Sequence, residues 1–401
     1  MENFEFSELT RSQLPALHLL QNLGYTYLSP REALALRGGR DDAVLLDSVL
    51  LDWLARNNEI QYHGQCYPFS EANIHTAVQV LKETLSIGLL RTNESIFDLL
   101  SLGKSLPQSI NSNLKSFSLR YVNWDHPENN VYHVAEEFVV ERRSSHETRR
   151  PDLVLFVNGI PFCVIECKSP DLKDPITQAI SQQIRNQKED EIPALFQYAQ
   201  LLLAVSGNEA KYATVGTPAK FWSVWKEESD GFEKTIKAVV DHPLNRSQIQ
   251  VLYDAFPGKH RVEAVNSLNL PRVVSAQDRA IYSLCRPERL LEMAYGFTLF
   301  DAGEKKIARY QQYFCVKKIM QRIYERDSEG RRSGGVVWHT QGSGKSLTMV
   351  FLAKAITLRA DIPDHKIVLV TDRVDLDDQI YKTFHACGKE VEQARTGKDL
   401  A

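Results

Sequence analysis

DLVLFVNGIPFCVIECK, residues 152–168, contains two apolar runs on either side of the dipeptide Asn158-Gly159. Asn and Gly both tolerate positive φ angles, so this dipeptide between apolar runs predicts a tight β-hairpin turn. A two-residue turn makes the flanking strands antiparallel neighbours. We therefore predict that Asp152 lies opposite Glu166 and Lys168.

Asp152, Glu166 and Lys168 match the pattern P-D…(D/E)-x-K. Glu166 and Lys168 are two residues apart on a strand, so their side chains point to one face. Two carboxylates without a partner histidine favour a hard cation, Mg²⁺ or Mn²⁺, which would polarise a phosphate and activate a water. Lys168 would stabilise developing charge or position the nucleophile. The alternative is a surface hairpin with an ordinary ion pair. A second E-x-K pair, Glu209 and Lys211, follows a turn-like segment, and no apolar strand carries this pair.

Strand-like and helix-like segments alternate around the hairpin. Residues 131–141 and 199–207 are strand-like, while residues 174–189 predict a helix with Pro175 at its first position. The pattern predicts an α/β fold with a mixed sheet. The predicted parts of the chain are a helical N-terminal region at 1–120, a core around the hairpin at 121–260, a connector at 261–300 and a further α/β region at 301–401.

The segment QGSGKS, residues 341–346, matches the end of the phosphate-loop pattern G-x-x-x-x-G-K-[ST], with His339 at the first glycine position. Glycines let backbone N–H groups face phosphates, the lysine would reach the β- and γ-phosphates, and the serine hydroxyl would ligate Mg²⁺. Strand-like runs at 336–340 and 366–372 flank a helix-like segment, which predicts a RecA-like parallel α/β domain. The candidate ATP-binding residues of this loop are Gln341, Gly342, Ser343, Gly344, Lys345 and Ser346.

Two shorter segments resemble motifs of superfamily 2 helicases. RYQQY, residues 309–313, resembles the Q motif, whose glutamine reads adenine, and Gln312 is the expected residue, with Gln311 next. LVTDR, residues 369–373, resembles motif Ia, which implies that Arg373 contacts the DNA backbone.

Composition places the chain among water-soluble globular proteins. It has 401 residues, 43% hydrophobic, a net charge of −3 and six cysteines that form no C-x-x-C pair, so a zinc site is not expected. We find no apolar run long enough to cross a membrane and no secretory signal, and we expect a cytoplasmic protein.

Because the net charge is slightly negative, any DNA-binding surface must be a local basic patch. The alternative for each patch is a solvated face without a function in binding. The two candidate patches lie at residues 142–150 and 305–326.

Several longer strings resemble the N-terminal part of the restriction subunit of type I restriction–modification enzymes. They are RRPDLVLFVNGIPFCVIECKSP, LFQYAQLLLAVSGNEAKYAT, IARYQQYFCVKKI and VVWHTQGSGKSLTMVFLAK, in that order. The resemblance implies a PD-(D/E)xK nuclease domain followed by a motor that moves double-stranded DNA with ATP. It also implies methyltransferase (M) and specificity (S) subunits as partners. Family members carry a Q-x-x-x-Y element after the nuclease lysine; Gln182 matches its glutamine, but Asn186 stands where tyrosine is expected.

No D-E-x-H-type acidic motif follows the phosphate loop within the 401 residues. Since that motif would hold Mg²⁺ and orient water, we expect this chain to bind ATP weakly and not to hydrolyse it efficiently. Two other functions stay open: a standalone metal-dependent defence nuclease with a nucleotide-sensing region, and a non-catalytic assembly module.

Overall fold

The computed structural model describes residues 8–83, 87–255, 262, 265–268, 270–340, 342–362, 365–372 and 374–394. The chain divides into two compact units, Met1–Leu291 and Glu292–Ala401. The candidate nuclease residues lie in the first unit and the phosphate loop lies in the second. No helix of the described segments is both long and apolar enough to cross a membrane.

A mixed sheet of six strands forms the centre of the first unit. Its strands, in spatial order, are β1 (Thr26–Leu28), β6 (Tyr132–Glu136), β9 (Leu153–Val157), β10 (Ile160–Lys168), β11 (Leu201–Ser206) and β12 (Ala210–Ala213). The β1–β6 and β10–β11 pairs are parallel and the other neighbours are antiparallel. Every residue of β9 and β10 is buried. The predicted hairpin and the predicted mixed sheet are therefore confirmed.

The remaining strands form small antiparallel pairs. These are β2 (Glu59–Tyr62) with β3 (Gln65–Pro68), β4 (Lys104–Ile110) with β5 (Asn113–Leu119), β7 (Val140–Glu141) with β8 (Thr148–Arg149), and β13 (Thr298–Asp301) with β14 (Glu304–Ile307). The first two pairs lie inside the region predicted to be helical, at residues 1–120. They escape a periodicity argument because β3 and β5 are mostly exposed and carry no apolar stripe.

The α-helices begin and end as follows: α1 (Leu14–Asn22), α2 (Pro30–Leu36), α3 (Asp47–Asn57), α4 (Glu71–Lys82), α5 (Leu89–Leu102), α6 (Pro175–Asn186), α7 (Pro193–Phe196), α8 (Phe232–Val240), α9 (Arg246–Ala255), α10 (Ala276–Cys285), α11 (Pro287–Gly296), α12 (Tyr310–Tyr324), α13 (Lys345–Thr357) and α14 (Val374–Ala386). Helix α6 connects the parallel strands β10 and β11 and packs on both. Helix α10 lies in the stretch predicted to be a connector, and it packs on α1 and on β11 and β12 of the first unit.

The hairpin turn depends on two residues with positive φ. Asn158 has φ 53° and Gly159 has φ 82°. The Asn158 side chain is fully buried, accepts a hydrogen bond from Val131 N at 2.8 Å and donates to Tyr121 O at 3.0 Å. A Cβ on Gly159 would lie 2.6 Å from Leu46 O, so the backbone approaches too closely for any side chain. The turn is thus both a local conformation and a docking point for α3.

A β-bulge between Pro161 and Cys163 shifts the register of the hairpin by one residue. Ile160 pairs with Val157 before the bulge, and Ile165 pairs with Leu153 after it. Without the shift, Asp152 would lie opposite Ile165 and on the other face from Glu166, because a one-residue slip exchanges the faces. Proline lacks the N–H that the ladder needs, and in strands it favours edges and bulges. The bulge therefore brings Asp152 and Glu166 to one face.

The second unit lacks the parallel sheet that the sequence predicts, as far as its described residues show. Residues 336–340 and 366–372 form no strand. Val336, Trp338 and Val370 are 94%, 92% and 88% exposed. An apolar run becomes a strand only when neighbours accept its backbone hydrogen bonds, and the described residues provide no such neighbours here. The two predicted strands were wrong for this structure, and the RecA-like fold stays a prediction.

Candidate nuclease and phosphate-loop sites

The carboxyl end of β10 meets the start of β9 at the candidate nuclease site. Continuing the hairpin register by one residue places Asp152 opposite Glu166. Cys167 N donates to Asp152 Oδ2 at 2.7 Å, which fixes that carboxylate against β10. The side chains of Asp152, Glu166 and Lys168 are 10%, 0% and 11% exposed. The structure thus brings together the three residues predicted from the sequence.

Lys168 lies among negative charges. Its Nζ is 3.5 Å from Asp152 Oδ2 and 3.9 Å from Glu166 Oε2. It also donates to Cys167 O at 3.0 Å. Burial alone would lower the pKa of Lys168, but the carboxylates of Asp152, Glu166 and Glu8 together raise it above its ordinary value. The ammonium is therefore charged at neutral pH.

Glu166 is the most unusual group of the site. Both of its carboxylate oxygens are buried and neither has a hydrogen-bond partner among the described residues. Burial, and next the negative charge of Asp152, raise the pKa of Glu166 well above its ordinary value. A buried carboxylate without a hydrogen-bond donor is costly, so a proton or a closely bound cation would stabilise this group.

The residues fit a divalent cation bound in the manner of Mg²⁺. Three carboxyl groups, from Glu8, Asp152 and Glu166, surround one ammonium, so acidic groups outnumber the positive charge in the cluster. No three His, Cys, Asp or Glu side chains of the described residues form a complete metal cage. Mg²⁺ is commonly held by one or two carboxylates and completes its shell with water and phosphate oxygens. Asp152 and Glu166 would supply those carboxylates.

Sequence reasoning missed Glu8, which faces the same cluster from another part of the chain. Its Oε1 is 3.6 Å from Lys168 Nζ. Burial raises the pKa of Glu8, although the charge of Lys168 opposes this. Glu8 immediately precedes a π-helical segment, Leu9–Gln13. Nothing in the local sequence around Glu8 indicates this contact, because it forms only through the tertiary fold.

Gln182, predicted from the Q-x-x-x-Y element, is half-buried on α6, and the structure shows no hydrogen bond from it to the cluster. The adjacent Gln183 is fully buried and joins two central strands, since its Nε2 donates to Val164 O at 3.0 Å and Leu203 O at 3.2 Å. Asn186, where tyrosine was expected, is buried and accepts from Arg185 at 3.0 Å. In this structure Gln183 holds the more central position of the two glutamines.

The phosphate loop in the second unit has the backbone conformation that glycine permits. Gly342 and Gly344 have φ 74° and 83°. Helix α13 begins directly afterwards at Lys345, whose side chain is exposed, and Ser346 is half-buried. Ser343 Oγ donates to Thr340 O at 2.7 Å. The loop therefore presents a helix N-terminus beside a free lysine, an arrangement that binds phosphates in many proteins.

Gln312 contacts this loop directly. Its Nε2 donates to Gly344 O at 3.1 Å and its Oε1 accepts from Arg309 N at 2.9 Å. Gln312 is buried, whereas Gln311 is exposed. Two other predicted residues, Gln341 and Arg373, lie outside the described residues.

The basic stretch at residues 142–150 pairs with acidic residues of its own unit. Arg149 Nε is 2.6 Å from Glu191 Oε2, and Arg142 is 3.3 Å from the same carboxylate. Arg143 lies 3.5 Å from Glu189. For these arginines the structure favours an ion-pair network over a free DNA-binding patch.

Two family models match the chain. The model described as "Type I restriction enzyme R protein N terminus" matches residues 5–221. The model described as "SWI2/SNF2 ATPase" matches residues 311–401. The first match includes the hairpin and Glu8, and the second includes the phosphate loop.

Curated proteins with similar sequences are type I restriction enzyme endonuclease subunits by name. An inferred MjaIXP subunit of Methanocaldococcus jannaschii is 30% identical over 398 residues, which cover 96% of this chain and 35% of that protein. The HindI subunit of Haemophilus influenzae is 30% identical over 309 residues, 76% of this chain and 26% of its own length. This chain thus spans about a third or less of these relatives. The predicted resemblance is confirmed: because the first family model matches more than half of the 401 residues, the chain belongs to the type I restriction enzyme R protein N-terminus family.

Proposed function

We propose that this chain carries the nuclease of a type I restriction subunit, which cuts double-stranded DNA with Mg²⁺, and the beginning of its ATP-driven motor. One observation carries the nuclease part of the proposal. The Glu166 carboxylate is fully buried and has no hydrogen-bond partner among the described residues, although it lies beside Asp152 and Lys168. Such an arrangement lowers the stability of the folded state when no cation is bound, and it is typical of a functional site that binds a cation.

Each residue of the cluster has a distinct part in the proposed reaction. Mg²⁺, when bound, would supply Lewis acidity toward a phosphate oxygen and lower the pKa of a coordinated water. Asp152 and Glu166 would hold it, and the Cys167 N–H keeps the Asp152 carboxylate in place. Lys168, with its raised pKa, would keep a positive charge next to the scissile phosphate and stabilise the charge that develops there.

The second unit supports the ATP-dependent part of the proposal. Its glycines turn the loop toward the N-terminus of α13, and exposed Lys345 is free to reach a phosphate. Ser346 would then ligate Mg²⁺ together with ATP. Since the similar proteins are named as subunits, we further propose that the chain acts together with methyltransferase (M) and specificity (S) subunits, and that translocation precedes cleavage.

Plasmid cleavage tests the nuclease. The chain would be incubated with supercoiled DNA and Mg²⁺, alone and with M and S subunits plus ATP. We expect no cutting by the chain alone, and in any mixture that does cut we expect Lys168→Ala to reduce cutting by about a hundredfold or more. Lys211→Ala is the matched control, because Lys211 belongs to the other E-x-K pair and is 34% exposed.

Each contrary result has a clear meaning. Cleavage that survives Lys168→Ala would contradict the named active site. Cleavage by the chain alone, lost in Lys168→Ala, would support a standalone nuclease in place of a restriction subunit. Equal losses of cleavage in Lys168→Ala and Lys211→Ala would mean that the loss does not depend on the position of Lys168, and would likewise contradict the named active site.

A further inference from the structure

Glu8 differs from the other two carboxylates around Lys168 because it comes from outside the hairpin. Glu8 Oε1 lies 3.6 Å from Lys168 Nζ, nearly as close as Asp152 Oδ2 at 3.5 Å and closer than Glu166 Oε2 at 3.9 Å. The ammonium therefore lies between two carboxylates suited to a metal and a third that approaches from another segment.

Side-chain contacts hold the segment that carries Glu8 against the site. Arg11 Nη1 donates to both carboxylate oxygens of Asp171 at 2.9 Å, in the loop that follows β10. One residue later, Ser12 Oγ donates to Gln277 Oε1 at 2.6 Å, and Gln277 Nε2 donates back to Ser12 O at 2.8 Å. The second pair is buried. Glu8 thus approaches Lys168 from a fixed direction.

A divalent cation at Asp152 and Glu166 would repel the ammonium of Lys168, which lies within 4 Å of both carboxylates. The ammonium therefore competes with the cation for the same oxygens, and it needs another partner when the cation binds. Glu8 is the remaining carboxylate within salt-bridge distance of Lys168 Nζ among the described residues.

We propose that Glu8 is a positioning residue that draws the ammonium of Lys168 away from Asp152 and Glu166, so that a divalent cation can bind them while Lys168 stays beside the phosphate. This role rests on the proposed nuclease function. Glu8 acts through Lys168, and it need not touch the cation.

Mn²⁺ binding to the 401-residue chain, measured by titration calorimetry, tests this role without relying on cleavage. The proteins compared are wild type, Glu8→Gln, Lys168→Met and the double variant. We expect Glu8→Gln to weaken Mn²⁺ binding by about fivefold in the presence of Lys168, as coupled neighbours do. In the Lys168→Met background, where no ammonium competes, the same change should weaken binding by less than about twofold.

Two control variants remove exposed carboxylates that do not pair with Lys168. Asp171→Asn removes the exposed partner of Arg11 while the buried Ser12–Gln277 hydrogen bonds still hold the segment that carries Glu8, and Glu71→Gln removes a 92% exposed charge from α4. Both should bind Mn²⁺ as the wild type does. Glu8→Asp, which keeps the carboxylate, should recover part of the affinity that Glu8→Gln loses. Thermal unfolding of each variant checks that the first unit is folded.

The outcomes distinguish this role from the proposed function. Equal weakening by Glu8→Gln in both backgrounds would mean that Glu8 binds the cation itself, and no weakening in either would leave it without a role; both results overturn the proposal. Wild-type protein that binds no Mn²⁺, or binding that survives Asp152→Asn combined with Glu166→Gln, would instead contradict the metal site itself and the role of Glu8 with it.

Discussion

Replacing Glu166 with glutamine should make the metal-free protein more stable while it removes the proposed metal site. Glutamine has nearly the same shape but no charge, and its amide can donate to the neighbouring carboxylate of Asp152. In the wild type, Lys168 at 3.9 Å offsets part of the cost of the buried charge. That attraction is about 4 kcal/mol at an effective dielectric constant of about 20. Desolvation costs several kcal/mol, and repulsion from Asp152 adds to it.

The raised pKa of Glu166 decides the sign of the net effect, because it means that the folded protein disfavours the charged carboxylate. We therefore expect Glu166→Gln to increase the free energy of unfolding by about 1–2 kcal/mol at pH 8 without metal. Between the unfolded pKa of 4.5 and the higher folded pKa, the folded state binds more protons than the unfolded state. Wild-type stability therefore falls as pH rises through this window, and the advantage of the variant should vanish near pH 4.5.

Urea unfolding in EDTA, followed by tryptophan fluorescence at pH 5 and pH 8, measures the difference. Trp53 and Trp124 lie in the first unit and report on it. Mn²⁺ at about a hundred times its Kd should add about 2.7 kcal/mol to the wild type and little to the variant, which reverses their order. Glu209→Gln, at a 49% exposed side chain, is the control and should change stability by less than about 0.5 kcal/mol. A Glu166→Gln protein that is less stable than wild type by more than about 1 kcal/mol in EDTA at pH 8 would refute the reasoning.

Three other changes test the turn and the phosphate loop. Asn158→Ala should lower the free energy of unfolding by about 3 kcal/mol, because it leaves buried backbone groups without partners, and urea unfolding would show it. Gly159→Ala should cost at least about 2 kcal/mol, since its Cβ would lie 2.6 Å from Leu46 O; a loss below about 0.5 kcal/mol would contradict the described turn. Gln312→Ala should weaken ATP and GTP binding equally, by about fivefold, if its bond to Gly344 O positions the loop. Selective loss of ATP binding, measured with fluorescent nucleotides, would instead support adenine reading.

The candidate nuclease residues were predictable because their signals are local. The Asn158-Gly159 dipeptide between two apolar runs specifies a turn, and the alternation of side chains puts Glu166 and Lys168 on one face. The phosphate loop is local in the same way, as its two glycines must take positive φ before a helix. Gln312 was predicted to read adenine, which stays a prediction; its hydrogen bond to Gly344 O of the phosphate loop was not predicted.

Other predictions failed or stayed open where the structure of a segment depends on residues that are distant in the sequence. The runs at 336–340 and 366–372 have strand composition, but strands form only when other strands pair with them. For the basic stretch at 142–150 the sequence left a DNA patch and a solvated face both open, and the fold places Glu189 and Glu191 against it. The positions of charged residues in the sequence do not show which oppositely charged side chains lie beside them in the folded protein.

By itself, the sequence determined the local features that suggest the chemistry: a tight turn, two carboxylates and a lysine at its strand ends, and a glycine-rich loop before a helix. Only the tertiary structure decided how that chemistry is arranged. The bulge at Pro161 sets the face on which Asp152 lies, burial leaves Glu166 without a hydrogen-bond partner among the described residues, and Glu8 reaches Lys168 from the N-terminal segment. The physical reason is that side-chain type and strand alternation are properties of neighbouring residues, whereas register shifts, desolvation and long-range charge contacts arise only when distant segments pack together.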